Sequence, residues 1–170
     1  MVAAEIVRSL HAPLDLVLVQ KIGAPLQIEY AVAAVSESGC LINSVCDEAW
    51  VQQQVPDKLK EMERRRALYL HGTAPCRFSD QLVFLVDDGM ATGLTLHVGI
   101  LELKHRGAQR IVVALGVAPK IQIDTLRPLV DEVVVLESAH EFQGSVGAYY
   151  EDFSQVSDAQ VVAILNSFAY

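Results

Sequence analysis

Cysteine pairs, long apolar runs and surplus positive charge are all missing from this chain, and each absence removes a class of protein. The three cysteines, Cys40, Cys46 and Cys76, include no Cys-x-x-Cys pair and are odd in number. That argues against a disulfide framework or a zinc site and for reduced thiols. No window approaches the ~18 uninterrupted apolar residues of a membrane-spanning helix. Met1 to Leu10 carry neither a basic leader nor a long apolar stretch. A cytoplasmic protein with no membrane partner is the expectation. Lys and Arg number 13 against 21 Asp and Glu, a net charge of −8. Such a balance is wrong for neutralising nucleic-acid phosphates or clinging to an anionic membrane. It also disfavours polyanionic ligands in general, so any phosphate site must be local and built largely from backbone donors.

What is present suits one domain with a full core: 170 residues, 52% of them hydrophobic. Four short, β-branched apolar runs read as buried parallel strands: Leu14 to Val19, Leu82 to Val86, Ile111 to Leu115 and Glu132 to Leu136. Helical patterns lie between them. The expected fold is therefore α/β, a mostly parallel sheet with flanking helices. Ala31 to Val35, after the turn at Gly23-Ala24-Pro25, reads as an edge strand. Residues 46 to 70 place Val51, Val55, Leu59, Met62, Arg66 and Tyr69 at helical spacing, with Pro56 expected to open a second helix at its first position. The charges around them, Arg64, Arg65 and Arg66 included, predict a charged outer helix; the competing reading makes 46 to 75 a mobile basic flap. Near the end, Ser157 with Gln160 matches a capping box, with Val156 and Val161 at staple positions.

Chemistry concentrates in Leu82-Val-Phe-Leu-Val-Asp87-Asp88-Gly89-Met90-Ala91-Thr92-Gly93-Leu94-Thr95, which leads into a helix running through Arg106. Ligands of open α/β sheets bind at the carboxyl ends of the strands. A helix N-terminus leaves amide N–H groups unpaired and carries partial positive charge. Gly89 and Gly93 permit close approach, and the Thr92 and Thr95 hydroxyls add donors, so the segment reads as an anion cradle. Two adjacent carboxylates would repel a phosphate set beside them but accept hydrogen bonds from a diol. Ribose 5-phosphate presents a diol and a phosphate a short distance apart. Other readings of an acidic strand end fail: there is no Gly-x-x-x-x-Gly-Lys-Ser/Thr and no Gly-x-Gly-x-x-Gly. A receiver domain would place its acidic pair after the first strand, whereas this one is mid-chain.

The run Leu-Val-Asp87-Asp88-Gly-x-Ala-Thr-Gly-x-Thr resembles the ribose-phosphate signature of the type I phosphoribosyltransferases, and in particular a subgroup of predicted bacterial members. Val17-Leu-Val-Gln-Lys21-Ile-Gly-Ala-Pro25 is similar to the family's second strand and its Arg-Lys turn, with Gln20 replacing the Arg. Phe142 through Phe153 resembles the loop that stacks on the base, and Tyr150-Glu-Asp-Phe-Ser-Gln-Val-Ser-Asp158 matches the subgroup's closing pattern. The resemblance covers nearly the whole chain. It implies exchange of the diphosphate of phosphoribosyl diphosphate for a small nitrogenous base, through a transition state of oxocarbenium character. It implies catalytic roles for Asp87 and Asp88 on the ribose hydroxyls or metal-bound water. It gives the 5-phosphate to Gly89, Met90, Ala91, Thr92, Gly93 and Thr95, the diphosphate to Lys21 and the base to Phe142 or Tyr149. Mg²⁺ would arrive on the diphosphate with few protein ligands of its own, and a homodimer is common in the family.

One departure qualifies this. The family places a strand and a Gly-rich diphosphate loop before the helix that begins here at about Val2. Two expectations follow: a natural chain that extends upstream, or a short form that binds ribose phosphates or nucleotides as a non-catalytic regulatory module. The acceptor base, whose contacts fall around residues 137 to 149, is not legible.

Overall fold

The apolar run Leu82 to Val86 does fold as a strand, and it finds two parallel partners. In the computed structural model, which describes residues 1–42 and 47–168, β4 (Leu82–Gly89), β5 (Arg110–Pro119) and β6 (Glu132–Ala139) form a parallel sheet with β5 in the middle. Phe84 pairs with Val112, and Val113 with Val133. Central position explains composition: Ile111, Val112, Val113, Leu115, Val117 and Ala118 are all buried. Burying each of the larger side chains contributes on the order of 1.5–3 kcal/mol. α1 (Val2–Leu10) packs on β4, and α4 (Lys120–Leu126) packs on β5 and β6. These elements, with α5 (Asp158–Asn166), make one compact unit from Met1–Asp15, Phe78–Gly93 and the described residues from Ala108 onward. α5 opens on the expected capping box: Ser157 Oγ accepts from the Gln160 amide, and the Gln160 side chain accepts from the Ser157 amide. Val156, the outer staple position, is exposed.

The other unit comprises Leu16–Arg77 and Leu94–Gly107. Here the sheet is antiparallel: β1 (Val19–Ala24), β2 (Gln27–Ser36) and β3 (Cys40–Ile42), in that order. Two sequence expectations are corrected. Leu14 to Leu18 lies outside any strand, and the strand that follows runs from Val19 into a tight hairpin at Pro25-Leu26 instead of joining the parallel sheet. Ala31 to Val35 is the middle of the long central strand β2, not an edge. A two-residue connection can join only antiparallel neighbours, so the turn decided the topology over the apolar run.

α2 (Glu48–Leu70) is one continuous helix, capped by the Asp47 carboxylate on the Ala49 amide at 2.9 Å. Pro56 rides inside it rather than opening a second helix. Val51 and Met62, buried on either side of the proline, pack into one cluster with Leu18, Ile22, Val32, Ala33 and Val35, which holds both halves on one line. Trp50 fixes the start of the helix through Nε1, which donates to the Gly23 carbonyl at 3.0 Å. α3 (Leu94–His105) lies against β1, β2 and β3. Cys76 is exposed, and Cys46 lies outside the described residues. No helix among the described residues is long and apolar enough to cross a membrane.

Candidate functional site

β4 does not stop where its apolar run stops. It continues through Asp87, Asp88 and Gly89, with Asp87 level with Leu115 and Gly89 with Val117. The paired carboxylates therefore belong to the last rungs of a strand, not to a loop after it. Both residues are half-buried, and the Asp88 amide donates to Asp87 Oδ1 at 2.9 Å. Met90 extends the ladder, its amide donating to the Val117 carbonyl at 2.9 Å and its side chain 2% exposed. Expected among the phosphate donors, Met90 is instead an anchor, because its one backbone donor is already spent. Exposed chain begins at Ala91 and Thr92, and Gly93, at φ 80°, turns it toward α3 in a conformation that side-chained residues resist.

Gly89 was expected to make room for a ligand. It makes room for protein: a Cβ there would stand 2.7 Å from Val146 Cγ1 and 2.8 Å from the Val117 carbonyl. Gly116, on the central strand, does the same for Tyr150. Any Cβ at 116 would overlap the Tyr150 hydroxyl and lie 2.5 Å from the Asp88 carbonyl. Through that gap the Tyr150 hydroxyl donates to the Asp88 carbonyl at 2.6 Å. Burial first, then the negative charges of Asp88 and Asp87, push the Tyr150 phenol above its usual value. It therefore remains a protonated donor throughout the physiological range. Tyr150 is the site residue that local sequence reasoning did not single out, since the contact joins positions 62 apart.

Phe142 and Tyr149 come together as a stacked pair, centroids 5.6 Å apart and planes at 21°. The Tyr149 hydroxyl accepts from the Gln143 amide at 3.0 Å and donates to the Glu141 carbonyl at 3.3 Å. Tyr150 in turn packs on Phe153, at 5.3 Å between centroids. One unit thus gathers Asp87, Asp88, Gly89, Met90, Ala91, Thr92, Gly93, Phe142 and Tyr149.

Lys21 and Thr95 belong to the other unit. Lys21 is exposed on β1, in register with Ala34. Thr95 is the second residue of α3, and its buried hydroxyl has no hydrogen-bond partner among the described residues. A buried donor left unpaired at a helix N-terminus is costly and suits a polar ligand atom. The basic segment is engaged elsewhere. Arg64 and then Arg65 bond Glu61, holding its carboxyl down at about 2. Arg66, 8% exposed, forks onto Glu37, with Nη2 to Oε2 at 2.6 Å, and Nη1 donates to the Thr73 carbonyl at 2.9 Å. Arg106 bridges Glu37 at 3.0 Å and Glu102 at 2.8 Å, and Glu102 also accepts from the Ser38 amide at 3.1 Å. Burial opposes ionisation of Glu102, but the hydrogen bonds from Ser38 and Arg106 prevail and lower its carboxyl below the ordinary value.

No protein-family model matches the chain. Two Mycobacterium tuberculosis proteins, from strains CDC 1551 and H37Rv and each named "Putative phosphoribosyl transferase", are 33% identical to it over 97% of its length. The chain spans 39% of the length of each. Among solved structures, TT1426 from Thermus thermophilus is 34% identical and superposes with a TM-score of 0.76, over 99% of this chain and 83% of that one.

Proposed function

We infer that this chain, which belongs to one family with TT1426 of Thermus thermophilus, is a phosphoribosyltransferase that binds phosphoribosyl diphosphate and transfers the phosphoribosyl group to an unidentified nitrogenous base. The names carried by its Mycobacterium tuberculosis relatives point the same way. The observation that carries the reading is the passage from paired carboxylates through a glycine turn to a helix start with an orphaned hydroxyl. Asp87 and Asp88 lie in the last rungs of β4, Gly93 turns at positive φ, and the Thr95 hydroxyl in the first turn of α3 has no hydrogen-bond partner among the described residues.

In this reading the carboxylates accept from the ribose hydroxyls. Ala91 through Thr95 supply amides and hydroxyls to the 5-phosphate, and Lys21 meets the diphosphate. A base stacks beside Phe142 or Tyr149. The reaction breaks the C1–O bond to the diphosphate, which leaves with the electron pair, and forms a C1–N bond to the base, whose proton passes to solvent. The described residues contain no group of three or more His, Cys, Asp or Glu able to cage a metal. Mg²⁺ carried on the diphosphate would spread the leaving charge. The carboxylates hold the sugar as positive charge grows at C1, which is where their own charge stabilises most.

A second reading is a non-catalytic module that binds ribose phosphates or nucleotides for regulation. Gln20 favours it, standing where the family's turn carries an Arg beside Lys21. Calorimetric titration with phosphoribosyl diphosphate and Mg²⁺, beside ribose 5-phosphate, separates the two. Tighter binding of the diphosphate ligand, abolished in the Asp87→Asn/Asp88→Asn double variant, is the outcome expected of the transferase. Equal affinities for both ligands favour the module, and no binding of either by folded protein overturns both.

A further inference from the structure

The acidic pair is held from behind by a segment in which only Tyr149 has so far been given a role. Residues 146 to 153 follow β6 in the chain and return to the carboxyl ends of the other two strands of the same sheet. Two glycines admit them. Gly89, the last residue of β4, receives the Val146 side chain, and Gly116 of β5 leaves the space that the Tyr150 hydroxyl fills. A third, Gly147, lets the segment fold on itself, since a Cβ there would stand 2.8 Å from Phe153 Cδ1. Phe153 in turn backs the Tyr150 ring at 5.3 Å. The phenol is thus held between Gly116 and Phe153, and its hydroxyl ends on the main chain of Asp88, one of the two carboxylates of the reading above.

We propose that Tyr150 is a positioning residue for the acidic pair: its hydroxyl, passing over Gly116 to the Asp88 carbonyl, sets the angle at which the Asp87 and Asp88 carboxylates meet the hydroxyls of a ribose. This rests on the ribose-phosphate reading of the site. A carbonyl bonded at 2.6 Å to a packed phenol cannot tilt without breaking that bond. The peptide plane from Asp88 to Gly89 is therefore held as well, and with it the Cα–Cβ direction of Asp88, whose amide in turn donates to Asp87 Oδ1 at 2.9 Å. Catalytic carboxylates need such support, because errors of a few tenths of an ångström at the reacting end weaken every bond made there. The titratable groups that face Tyr150 are Asp87 and Asp88 themselves, and their charge, together with burial, keeps the phenol in its donating form.

The role predicts an effect confined to the sugar. Tyr150→Phe keeps the ring, its packing on Phe153 and the Val146 contact, and removes only the hydroxyl. Wild-type protein and this variant would be titrated calorimetrically with ribose 5-phosphate and with inorganic phosphate, after thermal melting establishes that both are folded. Affinity for ribose 5-phosphate should fall about three- to tenfold, the worth of one well-made hydrogen bond, while affinity for inorganic phosphate stays the same. Gly116→Ala, which pushes the hydroxyl off the carbonyl from the opposite side, should show the same selective loss. Equal losses for both ligands would mean that Tyr150 merely supports the fold, and unchanged ribose 5-phosphate affinity would mean that it positions nothing; either overturns the proposal. Failure of wild-type protein to bind either ligand overturns the ribose-phosphate reading itself and leaves Tyr150 with nothing to position.

Discussion

At the scale of single residues, the glycines of this chain divide by what lies above them. A Cβ at Gly89 would stand 2.7 Å from Val146 and 2.8 Å from Val117, whereas one at Gly39 would meet nothing within 4 Å on a backbone that is not left-handed. Gly89→Ala should therefore cost about 1–3 kcal/mol through overpacking. Gly39→Ala should stay within about 0.5 kcal/mol of wild type. Urea unfolding with an unchanged slope measures both, and equal effects at the two positions would contradict the packing assigned to Gly89. The sequence made Gly89 legible as a place where a side chain is not tolerated. It misjudged the reason, because a close approach by a ligand and a close approach by Val146 leave the same mark in a linear pattern. Asp87 and Asp88 were legible because strand, carboxylates and glycines are contiguous. Tyr150 was not, because the carbonyl it meets lies on a different element.

At the scale of elements, α2 shows where local rules yield to packing. Pro56 removes an N–H from the helix interior and crowds the preceding turn, a cost of about 3 kcal/mol in an unsupported helix. The apolar spacing from Val51 to Tyr69 was readable, but the break expected at Pro56 was not made. Val51 and Met62 enter the same core cluster, and two helices at an angle would empty one of those places. Pro56 is exposed and its replacement disturbs no contact of the core. Pro56→Ala should therefore raise stability by about 1–3 kcal/mol, seen as a higher denaturant midpoint. A lower midpoint would show that the proline's restriction of the unfolded chain outweighs the helical penalty. The parallel strands β4, β5 and β6 were all found from β-branched runs, each shorter than the real strand by residues at its carboxyl end. Those ends are where Asp87, Asp88 and Gly89 in β4, Gly116 and Pro119 in β5, and Glu137 and Ser138 in β6 interrupt the apolar pattern. The hairpin of β1 and β2 was missed for the opposite reason: Leu14 to Val19 looks like a strand, but Pro25-Leu26 turns the chain too early for a parallel crossover.

At the scale of the whole molecule, acid should act through Glu102, which is buried against Arg106. The Glu102 carboxyl is lowered from 4.5 in the folded chain. Its contribution is complete above the unfolded value and is lost as pH falls through the folded one. Unfolding midpoints should begin to drop as pH passes below 4.5. Glu61, lowered to about 2 by Arg64 and then Arg65, extends the same trend further. Glu102→Gln should flatten the acid limb, and at neutral pH it should cost on the order of 3 kcal/mol by leaving Arg106, with 3% of its side chain exposed, short of a charge. An acid limb as steep in Glu102→Gln as in wild type would place the loss elsewhere. Spacing along α2 left a charged outer helix and a basic flap both open, because it cannot reveal that Arg66 meets Glu37, 29 residues away. The order in which the units are written along the chain has its own consequence for biosynthesis. β4 can gain its neighbour only after α3 and the first residues of β5 have been made, and β6 comes later still. Until Arg110–Pro119 leaves the ribosome, Leu82 to Val86 is a bare sticky edge, and the emerging protein depends on how quickly that gap closes.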